Sequence, residues 1–189
     1  MKSQLVKIFM LFVRYFSIIL LGFGNLYIFH KIFIPLTIQT TNTILKIFTT
    51  TYLIKDTIYL TYTIIKIAPS CVAASAFYLL TILILSTANI KPKKRFAALS
   101  TSFSILFAFN IVRILILIPF VNQSYFEMLH WTFWHLISII FVLVTYFATI
   151  KIHKIKSIPV YSDFRYIKSL IKFQKKITLL SENPKLILR

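Results

Sequence analysis

The chain has 189 residues, 58% of them hydrophobic and 14% charged, and its 22 Lys and Arg against 4 Asp and Glu give a formal charge of +18. This balance excludes an ordinary soluble domain, which needs a larger polar share to cover its surface, and the 2 glycines exclude a compact α/β enzyme rich in tight turns. A single cysteine excludes an intrachain disulfide and a multi-cysteine metal site, so no metal or other cofactor is expected.

Several apolar runs reach about 18 residues or more, enough to cross a hydrocarbon core of roughly 30 Å. The expected fold class is therefore an all-α polytopic membrane protein, a bundle of about five transmembrane helices with a short extracytoplasmic extended or hairpin segment before the cysteine-bearing helix. Residues 1–150 are read as this bundle and residues 151–189 as a basic cytoplasmic tail. The positive charge follows membrane orientation and a composition jointly inflated in Lys, Ile, Phe and Tyr, so no nucleic-acid partner is expected.

In chain order, residues 8–29 are the first candidate span, interrupted by Arg14, Gly22, Gly24 and Asn25. No small-residue cleavage motif follows, which favours a retained helix over a signal peptide. Residues 32–48 form a weaker second span diluted by Pro35, Gln39, Asn42 and Lys46. Gln39 and Asn42 either line the bundle interior or make interhelical hydrogen bonds. Residues 49–66 are rich in β-branched and aromatic side chains, and read either as an extended hairpin-like segment turning at Lys55-Asp56-Thr57 or as an extension of the second helix.

The third span, residues 71–88, begins at Cys71 and leads into Lys91-Pro92-Lys93-Lys94-Arg95, whose cations mark the cytoplasmic side. Residues 96–118 and 128–150 are the fourth and fifth spans. Alternation then brings the start of the third helix, the end of the fourth and the start of the fifth to the extracytoplasmic face. Within the tail, Tyr161, Phe164, Tyr166, Ile167 and Leu170 among lysines fit either an amphipathic helix on the anionic inner surface or a solvated tail.

This topology collects chemistry at one leaflet. Cys71 opens the third helix, Arg113 lies roughly 7 Å below the outer end of the fourth, and His130 and His135 lie in the first turns of the fifth. A thiol beside a cation and a base is a competent nucleophile, Arg113 can stabilise a thiolate or an oxyanion, and a neutral histidine can relay the proton. Asn110, one helical turn before Arg113, can orient it or donate to the same oxyanion. The two histidines are five residues apart and point about 140° from each other on a helix, so one of them is expected to face Cys71. Against this, Arg113 can snorkel as an anchor, and Leu129-His130-Trp131-Thr132-Phe133-Trp134-His135 also fits an aromatic interfacial belt.

Cys71 followed by Asn110-Ile111-Val112-Arg113 and a late histidine resembles the exosortase/archaeosortase family of membrane-embedded cysteine transpeptidases. The resemblance runs over roughly residues 58–147, and His130 fits the family histidine better than His135. Two departures stand out. Val72-Ala73-Ala74 occupies positions where a Ser or Thr and then a Gly often follow the cysteine, and Trp134 stands where a glycine often follows the histidine.

The resemblance implies an intramembrane cysteine peptidase or transpeptidase. Its partners would be secreted proteins carrying a C-terminal sorting signal, with a membrane lipid as the acceptor and Cys71 forming the acyl thioester at the extracytoplasmic face. The alternative is a non-enzymatic membrane scaffold or small transporter, in which Arg113 lines a polar pathway.

Overall fold

The computed structural model describes residues 2–24, 26–87, 90–155 and 168. The basic tail beyond residue 155, read either as an amphipathic helix or as a solvated tail, lies outside the described residues apart from Lys168. The chain begins with helix α1, Lys2–Gly22, and helix α2, Tyr27–Phe48. The first expected span is broken between them, because Gly24 (φ 77°) and Leu26 (φ 60°) turn the backbone through the left-handed region. The two helices meet at a 63° bend, the geometry of a broken span or a re-entrant pair rather than of two separate crossings. Gly22 lies against Tyr78, whose hydroxyl donates to the Ile18 carbonyl at 3.0 Å and joins α1 to the later bundle.

On α2, Phe33, Thr37, Ile38, Thr41, Asn42 and Leu45 are buried, at the three- and four-residue spacing of one helix face. Asn42 is interior as expected, and its Oδ1 accepts a bond of 2.8 Å from the Thr51 hydroxyl. Gln39 falls off this stripe and is exposed, so the expectation that both amides face inward holds for Asn42 alone.

The segment after α2 is extended, and does not prolong the helix. Strands β1 (Thr51–Ile54), β2 (Thr57–Leu60) and β3 (Ile64–Lys66) form an antiparallel three-stranded sheet in the order β1-β2-β3. Lys55 (φ 56°) and Asp56 make the tight turn between the first two strands. The sheet presents Ile58, Ile65 and Ile67 to Ile38 and Leu45 of α2, forming a small apolar cluster that Cys71 also touches.

A 3-10 turn, Pro69–Val72, then carries Cys71, and helix α3, Ala74–Leu85, follows it. Helix α4 runs Pro92–Leu117 and ends in a 3-10 turn, Ile118–Phe120. Helix α5 (Phe126–Thr132), a π turn (Phe133–Ile137) and helix α6 (Ser138–Ile152) make one continuous run. Length and composition make Pro92–Phe120 and Phe126–Ile152 long and apolar enough to cross a membrane, or three spans if the bent α1–α2 pair is one; Pro69–Leu85 is a shorter apolar helix.

The core lies where α2, α3, α4 and α6 meet. Phe33 and Phe77 stack at 3.9 Å, with Phe103 edge-on to Phe77 at 5.4 Å. Ala98, Ser102, Leu106, Asn110 and Arg113 form the buried stripe of α4, spaced three or four apart. Ser102 and Thr149 share a hydroxyl bond of 2.8 Å across to α6, as expected where apolar packing alone does not distinguish protein from lipid. The opposite faces expose large apolar side chains such as Ile116, Ile139, Leu143 and Phe147, a surface suited to acyl chains.

Between the turn carrying Cys71 and α3, Ala73 is held at φ 55°, ψ 39°. This is the position where the resembled family often has glycine, and the left-handed geometry supplies a physical reason. A β-branched residue is a steric outlier there. Ala73→Val is expected to lower stability by about 2 kcal/mol or more from the wrong backbone region and an overfilled buried site, while Ala73→Gly folds normally. Thermal melts in detergent check this, and an unchanged melting point for Ala73→Val would show that the segment relaxes.

Candidate functional site

Cys71 sits at the outlet of the turn that links the sheet to α3. Its amide donates to the Ala68 carbonyl at 2.9 Å, closing the turn that Pro69 begins. Its own carbonyl is left without a helical partner, because the first carbonyl used by α3 is that of Ala73, which accepts from the amides of Ala76 and Phe77. Two side chains from α4 satisfy it instead. Arg113 Nη2 donates to the Cys71 carbonyl at 2.7 Å and Asn110 Nδ2 donates to the same oxygen at 3.0 Å. The Asn-x-x-Arg spacing puts both donors on one face of α4, so a single carbonyl can receive both.

Arg113 is 3% exposed and Asn110 2%, which rules out a snorkelling role for Arg113. The other end of the guanidinium is held by α6, where Nη1 donates to the Ser138 hydroxyl at 3.1 Å and that hydroxyl donates to the Phe133 carbonyl at 3.2 Å. No carboxylate bonds Arg113 among the described residues, where the ion pair is Lys66 with Asp56 at 3.8 Å. Arg113 Nε and Asn110 Oδ1 are buried without a hydrogen-bond partner. The site therefore keeps a buried cation whose charge is not neutralised by an acid, a costly arrangement in a structural position and a useful one beside developing negative charge.

His130 approaches from α5, with its Nε2 4.0 Å from Cys71 Sγ. Phe126, one turn earlier on the same helix, stacks on its ring at 5.8 Å between centroids and fixes the ring plane. His135 goes elsewhere. Its Nδ1 lies 3.0 Å from the Trp131 carbonyl, and its ring packs against Trp131 at 4.4 Å and Trp134 at 4.6 Å on an exposed surface. His135 thus packs with these exposed tryptophans rather than with the thiol. The π turn that follows His130 inserts extra backbone into the helix, so that His130 and Ser138, on either side of it, both serve the site.

Thiol, imidazole and guanidinium open on one cleft of about 250 Å³ between β3 and the ends of α4 and α5. Its other walls are mainly apolar, from Ile64, Ile65 and Ile67 on the sheet side to Ile114, Leu117, Ile118 and Val121 on the helix side. Arg113 lies 18 residues beyond Arg95 on α4, about 27 Å by helical rise, so the cleft is at the opposite end of α4 from the Lys93-Lys94-Arg95 cluster. Of the residues singled out in the sequence, Cys71, Asn110, Arg113 and His130 are thus brought together and His135 is not. Ser138 was missed. Its signal was present as a hydroxyl in an otherwise apolar stretch, though the Arg113 contact crosses 25 residues and depends on helix packing. The described residues hold no cluster of His, Cys, Asp or Glu able to bind a metal ion.

Comparison with family models, curated proteins and solved structures finds no match to this chain.

Because Asn110 and Arg113 serve the same carbonyl, their effects on stability are coupled. Asn110→Ala is expected to cost about 1–2 kcal/mol by removing a buried hydrogen bond. In a double-mutant cycle with Arg113→Met the two losses should deviate from additivity by at least about 0.5 kcal/mol, read from denaturation in detergent. Strict additivity would mean that the two donors act on separate groups.

Proposed function

We propose that this chain is a membrane-embedded cysteine transpeptidase or protease, of the exosortase/archaeosortase type that its Cys71 and Asn110-Ile111-Val112-Arg113 resemble. The observation that carries the reading is the 4.0 Å approach of His130 Nε2 to Cys71 Sγ in an apolar cleft beside an acid-free guanidinium. In this mechanism His130 takes the thiol proton as Sγ attacks a peptide carbonyl. The S–C bond forms, the tetrahedral oxyanion draws on the positive charge of Arg113, and collapse breaks the C–N bond as His130 returns the proton to the departing amine. The acyl group is left on Cys71 as a thioester. A second amine, that of a lipid headgroup, then attacks the thioester, the C–N bond forms as the C–S bond breaks, and sulfur leaves with the amine's proton; water in that place makes the enzyme a protease. Asn110 acts as a positioning residue through the Cys71 carbonyl.

The substrate in this reading is a secreted protein with a C-terminal sorting signal made of a short motif, a spanning helix and a basic end. The Lys91–Arg95 segment and the basic tail take the cytoplasmic side by their charge, which puts the cleft on the extracytoplasmic face. Docking of the substrate's helix against the exposed apolar flank of α4 or α6 would bring its motif to the cleft.

Processing of such a co-expressed protein is expected to stop with Cys71→Ser and with Cys71→Ala. His130→Ala should slow it by roughly 10²–10⁴-fold, and Arg113→Gln by roughly 10²–10³-fold. His135→Ala should process normally. Full processing by both Cys71 variants would sink the nucleophile assignment, and equal losses for the two histidines would contradict the geometry.

The lone cysteine also reports orientation. A membrane-impermeant maleimide added to intact cells should label Cys71 from outside; labelling that requires access to the cytoplasmic side would reverse the topology.

A further inference from the structure

The cleft has a wall that side-chain chemistry does not use. β3 is the edge strand of the sheet, and Ile64, Ile65, Lys66, Ile67 and Ala68 line the cleft in unbroken succession. A sheet face offers only alternate residues to a cavity, so a consecutive run means that the backbone edge itself faces the cleft. The alternation of the ladder says which groups are free. Leu60 bonds to the Thr63 carbonyl and Ile67 to the Asp56 carbonyl, which makes these the hydrogen-bonded pairs and sets Ile58–Ile65 between them. Ile64 and Lys66 are then the non-bonded positions, and their N–H and C=O groups point away from β2. The strand runs on through Ala68 into the turn that carries Cys71.

We propose that the substrate binds in this cleft as an extended peptide segment, added as a fourth strand along the β3 edge through the outward backbone groups of Ile64 and Lys66. The proposal rests on the reading of Cys71 as the nucleophile. Strand addition holds a peptide by its main chain, presents its carbonyls in a fixed register, and leaves selection to pockets for alternate side chains. Here those pockets are apolar, formed by Ile114, Leu117, Ile118 and Val121. The segment recognised is accordingly extended and apolar. An open strand edge is ordinarily a liability that proteins cover or charge, and Lys66 is the one charged residue on this strand.

The test reads binding without turnover. The probe is the chloromethyl ketone of acetylated Val-Ile-Ala, which alkylates the Cys71 thiol with loss of chloride, followed by mass spectrometry on the full-length protein in detergent. Lys66→Pro removes the outward N–H from an edge position that tolerates proline and should slow labelling at least about tenfold, while Lys66→Ala, which keeps the N–H, restores it. Iodoacetamide, which needs no docking, should label wild type and both variants alike, showing that each is folded around its thiol. A second arm leaves the protein unaltered: analogues N-methylated at Val or at Ile differ in which side of the strand they cap, so one should be at least about tenfold slower than the other. Equal rates for Lys66→Pro and wild type, or for the two methylated analogues, overturn strand addition and leave the cleft to an occupant held by side chains alone, such as an acyl chain. Failure here is distinct from failure of the catalytic reading, because strand addition can fail while Cys71→Ser still stops processing.

Discussion

A backbone carbonyl at the start of α3 needs donors that the helix cannot provide, and a guanidinium buried in an apolar bundle needs acceptors that the surrounding side chains largely lack. The contact of Arg113 with the Cys71 carbonyl meets both demands at once. Asn110 adds a second donor to the same oxygen, and Ser138 takes the far side of Arg113, so one interaction ties α4 to the cysteine turn on one side and to α6 on the other. Removing the Ser138 hydroxyl leaves the buried Arg113 Nη1 without its acceptor, which costs more than the bond itself contributes.

That arrangement also explains why the thiol is where it is. Ala73 in the left-handed region ends the turn and starts α3, Pro69 begins it, and the Arg113–Asn110 pair fixes its carbonyl, leaving the side chain of Cys71 to face the cleft. His130 meets it from a short helix braced by Phe126, and the π turn lets the same run return to the bundle with Ser138 in contact with Arg113. The result is a thiol on a fixed backbone with an imidazole and a positive charge beside it. The mainly apolar walls lower the local polarity and so strengthen each electrostatic contact within the cleft.

The small sheet forms one wall of the cleft. Its apolar face is anchored on Ile38 and Leu45 of α2, so the strand that leads to Cys71 is held by the bundle rather than hanging from it. Three strands with one packed face are enough to persist, where a lone hairpin would be marginal. The edge left open lies beside the thiol, at the end of the molecule away from the basic segment.

Much of this was legible in the residues, for identifiable reasons. The apolar runs at 96–118 and 128–150 and the β-branched stretch before Cys71 are local signals that became the helices and the sheet their composition indicates, whereas the run at 8–29 is broken between α1 and α2, the run at 71–88 forms only a shorter helix, and Pro92–Arg95 opens α4. The four-residue repeat Ala98, Ser102, Leu106, Asn110 declares the inward face of α4, and the Asn110–Arg113 spacing already puts two donors on it. Other features belong to tertiary structure. The 63° bend between α1 and α2 depends on backbone angles that Gly24 and Leu26 adopt in context, and Gln39 was misjudged because one position of helical phase separates an interior amide from an exposed one. Sequence left two histidines as candidates for the place beside Cys71; only the packing of α5 against the cysteine turn set His130 at the thiol and His135 between two tryptophans, since distances between helices are fixed by packing and not by spacing along one chain.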